Sequence, residues 1–417
     1  MTALLVWLSF LIPLFLPPTS VQAQVLTGID VLEQEGFKSL QGKRIGLITN
    51  QTGRDRKGRS TVEILLHAPG VNLRTIFSPE HGLEGNLEQE KIVHSNYGAS
   101  RPATCPVVLD GTTQAASIPI YSLYGETNRP TPQMLKDLDA LVFDIQDAGA
   151  RFYTYGTTMG YAMEEAAKAG LEFFVLDRPN PIGGIGVEGA VLPEKLRSFI
   201  GYYCVPTRHG MTLGEIANLY NQTAALRLKL IVVRMKGWKR SQWYDRTGLP
   251  WVAPSPNMPD LNSAILYPGT GAFEAVNVSV GRGTSWPFRW IGAPWMDSVR
   301  LAQRMSRFRL PGLRFYPAQA VPSKEPYSGV FCRGVLIRVT DRNRAEPTAL
   351  FAYLLSELQS LHGDRVRVQW DRMAQLAGVP DMKEKYEKKK KPEALARIFR
   401  KESEKFKEQR RPFLLYP

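Results

Sequence analysis

The chain has 417 residues, 43% of them hydrophobic and 22% charged, which is too long for one ordinary core and too apolar for a disordered polymer, so two folded domains are expected. Three widely spaced cysteines, Cys105, Cys204 and Cys332, exclude an encoded disulfide framework and show no pattern that would activate a thiol, so all three read as structural. The formal charge of +14 does not call for a nucleic-acid partner, because much of the excess lies between Lys383 and Arg411 and reads as the solvated face of a terminal helix.

In chain order, Leu4 to Leu16 is nearly all apolar, too short to cross a bilayer comfortably, and is followed by Pro17-Pro18 and Val21-Gln22-Ala23. Residues 1–23 read as a secretory signal peptide cut after Ala23, although the segment before the apolar run has no Lys or Arg. The expected location is therefore exported, periplasmic or extracellular, with no transmembrane span after cleavage. From Gly42 to about Met235 apolar runs alternate with helical patterns. Strands are predicted at Lys43 to Thr49, Leu73 to Phe77, Ala140 to Phe143, Glu172 to Leu176 and Leu228 to Arg234. Helices are predicted at Thr61 to His67, Gly156 to Ala169 and Met211 to Tyr220, the last with Thr212 and Glu215 as a capping box. Short strands separated by helices predict an α/β fold with a doubly wound, mostly parallel sheet. No G-x-G-x-x-G follows a strand, so a dinucleotide site is not supported.

Between Lys236 and Pro294 the chain turns rich in Trp, Pro, Gly and Asn, which predicts long functional loops. Beyond Trp295 a smaller α+β domain is expected, with helices at Ser298 to Arg307 and Thr348 to Leu361 and a strand at Gly334 to Val339. The expected domains are 25–250 and 251–417.

Chemistry concentrates where predicted strands end. Ser78-Pro79-Glu80-His81-Gly82 follows the second strand; Pro79 ends it and Gly82 permits a sharp turn, which sets Glu80 and His81 at the carboxyl edge where open α/β sheets bind ligands. A carboxyl beside an imidazole in a cleft suits general acid-base work, and a structural acid is the plainer alternative. The third strand runs into Asp144, Gln146, Asp147 and Arg151, followed by Tyr153 and Tyr155. Acids and amides beside aromatic faces suit a sugar, with a structural Asp-Arg pair as the plainer alternative. The fourth strand leads to Arg178 and Asn180 between prolines, and Gly183-Gly184 turns the chain toward Glu188. Arg208 and His209 precede a capped helix, where an anionic group is welcome. His81, His209, Asp144 and Asp147 lack metal-ligand spacing, so no metal is assigned.

Ile48-Thr49-Asn50-Gln51-Thr52-Gly53, Ser78 to Gly82, Phe143 to Tyr155, Leu176 to Pro181, Arg208 to Thr212, Pro254 to Pro259 with Asn257, and Val278 to Thr284 with Arg282 are ordered landmarks. Together they resemble the exo-β-N-acetylmuramidase family of peptidoglycan hexosaminidases, over about residue 25 to Tyr416. The resemblance implies a Rossmann-like α/β domain plus a smaller domain, with the site between them and no cofactor. It implies release of terminal, non-reducing β-1,4-linked N-acetylmuramic acid from peptidoglycan fragments, with Glu80 as general acid. His81, Asp144, Gln146, Asp147 and Arg151 carry over as cleft residues, and Asn50, Asn257 and Arg282 as substrate contacts. The sequence departs from the pattern between Glu90 and Ile118, where Asn96 to Ala116 is irregular and Asp110 is the available acid. Glycosidic cleavage normally takes two carboxyls; Asp144, Asp147 and Glu188 compete to be the second, and the substrate's own N-acetyl group is another candidate. Arg178 or Arg208 would suit the lactyl carboxylate of muramic acid. The alternatives are a noncatalytic wall-binding protein and a metal-dependent amidase or esterase.

Overall fold

The computed structural model describes residues 24–86, 103–107, 116–389 and 391–417. The expected signal segment, Asp110 and most of the irregular stretch lie outside the described residues.

Before the first strand the chain forms a short helix, α1 (Gly28–Gln34), whose start is fixed by a capping box between Thr27 and Asp30. The strand β1 (Arg44–Thr49) is buried at every position after the first, as a central parallel strand must be. It lies between β2 (Asn72–Ser78) and β5 (Ala140–Asp144), parallel to both. With β3 (Ala103–Val107), β4 (Ala116–Ser122), β6 (Glu172–Leu176) and β7 (Leu230–Val233) it forms a seven-stranded sheet in the order β3-β4-β2-β1-β5-β6-β7. Only the edge strand β3 is antiparallel. Taken alone, the six parallel strands follow the 3-2-1-4-5-6 order of dinucleotide-binding sheets, with the reversal of direction between β1 and β5.

Alternate side chains divide between two layers. Ala140 and Val142 of β5 face α1 and α2 (Thr61–Leu66), whereas Leu141 and Phe143 face the opposite helices. Those are α3 (Pro132–Leu135), α4 (Tyr155–Ala169) and α5 (Leu213–Thr223). This second layer continues without a break into the C-terminal half through Tyr267, Phe273, Ile291 and Phe351. The two halves thus share one apolar core.

The C-terminal half holds an antiparallel sheet, β8-β10-β9, made by β8 (Trp290–Ala293), β9 (Leu313–Ala320) and β10 (Cys332–Val339). Around it lie α6 (Leu261–Thr270), α7 (Ser298–Arg307), α8 (Pro347–His362), α9 (Trp370–Ala377), α10 (Met382–Lys389) and α11 (Pro392–Gln409). The stretch expected as loops, 236–294, therefore contains α6 and β8. Gly269 permits the first of these, because a Cβ there would lie 1.9 Å from the carbonyl oxygen of Pro347 at the start of α8. The irregular stretch contains β3, and β4 begins at its end.

After α11 the chain returns to the first half. Leu415 N–H donates to Glu215 (2.8 Å), the Tyr416 hydroxyl donates to Asp177 (2.5 Å), and Arg240 N–H donates to the Pro417 carbonyl (2.8 Å). Among the described residues no helix is long and apolar enough to cross a membrane.

Candidate active site

The turn after β2 is built as its sequence requires: Pro79 accepts from Gly82 N–H (3.0 Å), and His81 and Gly82 take left-handed φ values of 73° and 75°. This turns Glu80 inward, leaving it 7% exposed. Its Oε2 accepts a 2.5 Å hydrogen bond from the hydroxyl of Thr154. Thr154 stands at the N-cap position of α4 but makes no side-chain cap bond; its hydroxyl is committed to Glu80 instead.

The end of β1 is joined to the end of β5 by a relay. Asn50 Oδ1 accepts from both the backbone and the hydroxyl of Thr52 (3.0 and 2.6 Å), and the same hydroxyl accepts from Gln146 N–H (2.9 Å). Gln146 Nε2 donates to the Asp147 and Pro179 carbonyls. Among the described residues Gln146 Oε1 is left buried with no hydrogen-bond partner, the state expected of a group that completes its bonding with water or a ligand.

Asp147 is buried, and Gly149 N–H donates to its Oδ2 at 2.6 Å. Burial raises its pKa to about 7, against the opposing pull of the Gly149 and Ala148 amides. Gly149 is required here: its φ is 83°, and a Cβ would lie 2.4 Å from Asn180 Oδ1. Asn180 itself is turned to the Met211 carbonyl and the Ile182 amide. Asp144 has a different environment. Both of its oxygens are held by Arg178 (2.5 and 2.8 Å), and Thr61 donates to Oδ2 as well. Breaking such a buried pair by removing one partner leaves an uncompensated charge and costs about 3–5 kcal/mol.

Aromatic rings continue the site. Tyr153 meets Tyr155 edge-on (5.0 Å between centroids) and Tyr267 (5.8 Å), and Tyr267 meets Phe288 (4.5 Å). The Tyr155 hydroxyl donates to the Pro254 carbonyl. Burial raises the pKa of all three phenols, and the negative charge of Glu80 adds to the rise in each. Burial also works against the charge of Arg282, but Glu274, and more weakly Glu80, raise its pKa on balance. Segments following β2, β5 and α6 therefore converge electrostatically on Glu80.

The other residues nominated from sequence form a frame around this cluster. Arg151 donates to the carbonyls of Ala190, Val205 and Leu376. Arg208 pairs with Glu188 (2.6 Å) and donates to the Ile182 carbonyl, while Glu188 also accepts from Thr348. These contacts tie the first half to the second. His209 is buried and its Nδ1 accepts from Met211 N–H; burial and the charges of Arg410, Arg151 and Arg208 lower its pKa to about 3, so it is neutral. Asn257 is half-buried in the loop before α6. Among the described residues no three His, Cys, Asp or Glu side chains are grouped to hold a metal.

Sequence reasoning passed over Thr154, Tyr267 and Glu274. Of these only Thr154 carries a signal, a hydroxyl residue immediately before a helix that lies next to the acid-rich loop. An enclosed void of about 10 Å³ beside Asp147, Asp177 and Asn180 has room for about one water, and an open groove of about 440 Å³ runs along α5 past Asn218, Gln222 and Phe413. Neither is lined by Glu80.

A switch-point sheet carrying carboxyls, amides and phenols at its strand ends is the framework of an α/β enzyme, and the comparisons identify its class as glycoside hydrolase. Residues 45–262 match the N-terminal family profile of the exo-β-N-acetylmuramidase NamZ, and residues 265–416 match its C-terminal profile. The chain belongs to the NamZ exo-β-N-acetylmuramidase family. It is similar to the peptidoglycan β-N-acetylmuramidase NamZ of Bacillus subtilis (strain 168), with 41% identity over 399 residues, covering 95% of this chain and 93% of that one. Crystal structures of two DUF1343 family proteins from Bacteroides fragilis NCTC 9343 share the fold. One superposes with a TM-score of 0.84 at 38% identity and the other with 0.73 at 29%, each covering 94% of this chain and 99% of its own.

Proposed function

We propose that this exo-acting glycoside hydrolase releases terminal, non-reducing N-acetylmuramic acid from peptidoglycan fragments, with Glu80 as general acid. The observation that carries the reading is the setting of Glu80, a buried carboxyl at a strand end, held by Thr154 and within electrostatic reach of three phenols and Arg282. The acid gives its proton to the glycosidic oxygen as the bond to the anomeric carbon breaks, so the leaving sugar departs as a neutral alcohol. Asp147 is the favoured second carboxyl, since Asp144 is committed to Arg178 and Glu188 to Arg208.

Glu80→Gln keeps the shape and the Thr154 contact but has no acidic proton. We expect its kcat on a 4-nitrophenyl N-acetylmuramic acid glycoside to fall about 10²- to 10⁴-fold, with unchanged thermal unfolding and retained muropeptide binding. Unchanged turnover would remove Glu80 from the role. Muropeptide binding by the unsubstituted protein with no sugar released would favour the wall-binding alternative.

The apolar run Leu4 to Leu16 followed by Val21-Gln22-Ala23 supports export as part of the same reading. Amino-terminal sequencing of protein recovered outside the cytoplasm should begin at Gln24; an intact Met1 would refute cleavage.

A further inference from the structure

A cation set to meet the lactyl carboxylate, a charged group that N-acetylmuramic acid has and N-acetylglucosamine lacks, would distinguish the two sugars. Both arginines that sequence offered for this, Arg178 and Arg208, are buried and already paired with Asp144 and Glu188. Arg282 is placed differently. Its side chain is 34% exposed, and Glu274 Oε1 accepts from both Nε (2.7 Å) and Nη2 (2.5 Å). That contact occupies one edge of the guanidinium. The Nη1–Nη2 edge makes no hydrogen bond among the described residues, and a planar fork of this kind matches a carboxylate in two-point fashion.

The loop around Arg282 is closely packed. Gly281 and Gly283 have φ values of 84° and 71°, and a Cβ on them would lie 2.3 Å from the Trp286 carbonyl oxygen and 2.5 Å from Ser323 Oγ. The guanidinium lies over Phe288 (5.2 Å), which leads through Tyr267 and Tyr153 to the region of Glu80. In muramic acid the lactyl ether is on C3, two ring bonds from the anomeric carbon, and leaves the ring in a different direction from the glycosidic oxygen. The ring contacts from Tyr153 through Tyr267 to Phe288 are themselves buried, and they bring Arg282, which is partly exposed, into the neighbourhood of Glu80 as the cation available to a lactyl arm.

We infer that Arg282, braced by Glu274, is the specificity-determining residue that binds the lactyl carboxylate through its Nη1–Nη2 edge. The inference rests on the glycosidase reading above and adds to it the part of the site that selects the sugar. Glu274 has a positioning role, holding the guanidinium by its Nε–Nη2 edge.

The test uses three 4-nitrophenyl glycosides: N-acetylmuramic acid, its neutral lactyl amide, and N-acetylglucosamine. The unsubstituted enzyme should prefer the acid to the amide by about 10- to 100-fold in kcat/KM, the range of a charge-assisted hydrogen-bonded contact. Arg282→Gln should lose that preference, the acid-to-amide ratio of kcat/KM falling to about one chiefly through a higher KM for the acid, with unfolding temperature unchanged. Arg282→Lys should recover part of the preference, and it carries the test if the Gln variant does not fold. Equal loss on acid and amide would show that Arg282 only supports the loop and would overturn the inference. So would an unsubstituted enzyme that cleaves acid and amide alike, which leaves the glycosidase reading standing. Cleavage of none of the three would end both.

Discussion

Asp147 and His209 are both buried, and burial drives their pKa values in opposite directions. Asp147 rises from about 4 to about 7. Between those values the unfolded chain has released its proton while the folded chain keeps it, so this residue makes stability fall as pH increases from about 4 to about 7. His209 falls to about 3. Between that pH and about 6.5 the unfolded chain is protonated and the folded chain is not, so this residue makes stability rise with pH across the window. The two trends oppose each other in the whole protein and can be separated only by substitution. Asp147→Asn retains an acceptor for Gly149 N–H and has nothing to ionise. The difference in urea stability between this variant and its parent should grow in the variant's favour from pH 4 to pH 7.5, by up to about 4 kcal/mol. A difference independent of pH would show that Asp147 does not hold its proton in the fold.

At the level of elements, the parallel strands were legible because β1, β5 and β6 are continuous apolar runs, the pattern of strands buried on both faces. The helix after Thr212 was legible through its capping box, which the structure contains. Elements whose local composition argues against them were not legible. Pro119 disfavours a strand, yet β4 contains it, and its carbonyl accepts from the Thr75 hydroxyl of β2. Pro268 and Gly269 hid α6, which tertiary contact with α8 stabilises. The same limit applies to the site. Strand ends located Glu80 and Asp147, but partner choice depends on contacts between distant segments. Nothing near Arg178 in the sequence reveals that it pairs with Asp144, and Arg151, adjacent to the acids, turns to carbonyls as far away as Leu376.

At the level of the molecule, the last residues complete a polar cluster that belongs to the first sheet. Burial raises the pKa of Asp177, and bonds from Tyr416, Thr212, Gly214 and Arg178 compensate its charge in part. Tyr416 also accepts from Met235 N–H (3.1 Å). Tyr416→Phe removes both contacts while keeping the ring against Trp238. It should lower stability to urea by about 1–3 kcal/mol, the cost of leaving buried polar groups unsatisfied. An unchanged midpoint would mean that water replaces the hydroxyl.

This arrangement orders events during synthesis. Asp177 and Glu215 emerge from the ribosome some two hundred codons before the tyrosine and the Leu415 amide that bond to them, so the interior of the N-terminal half stays incomplete until residue 416 has been made. A chain cut just beyond Gln409 would therefore carry its defect in the half that was made first.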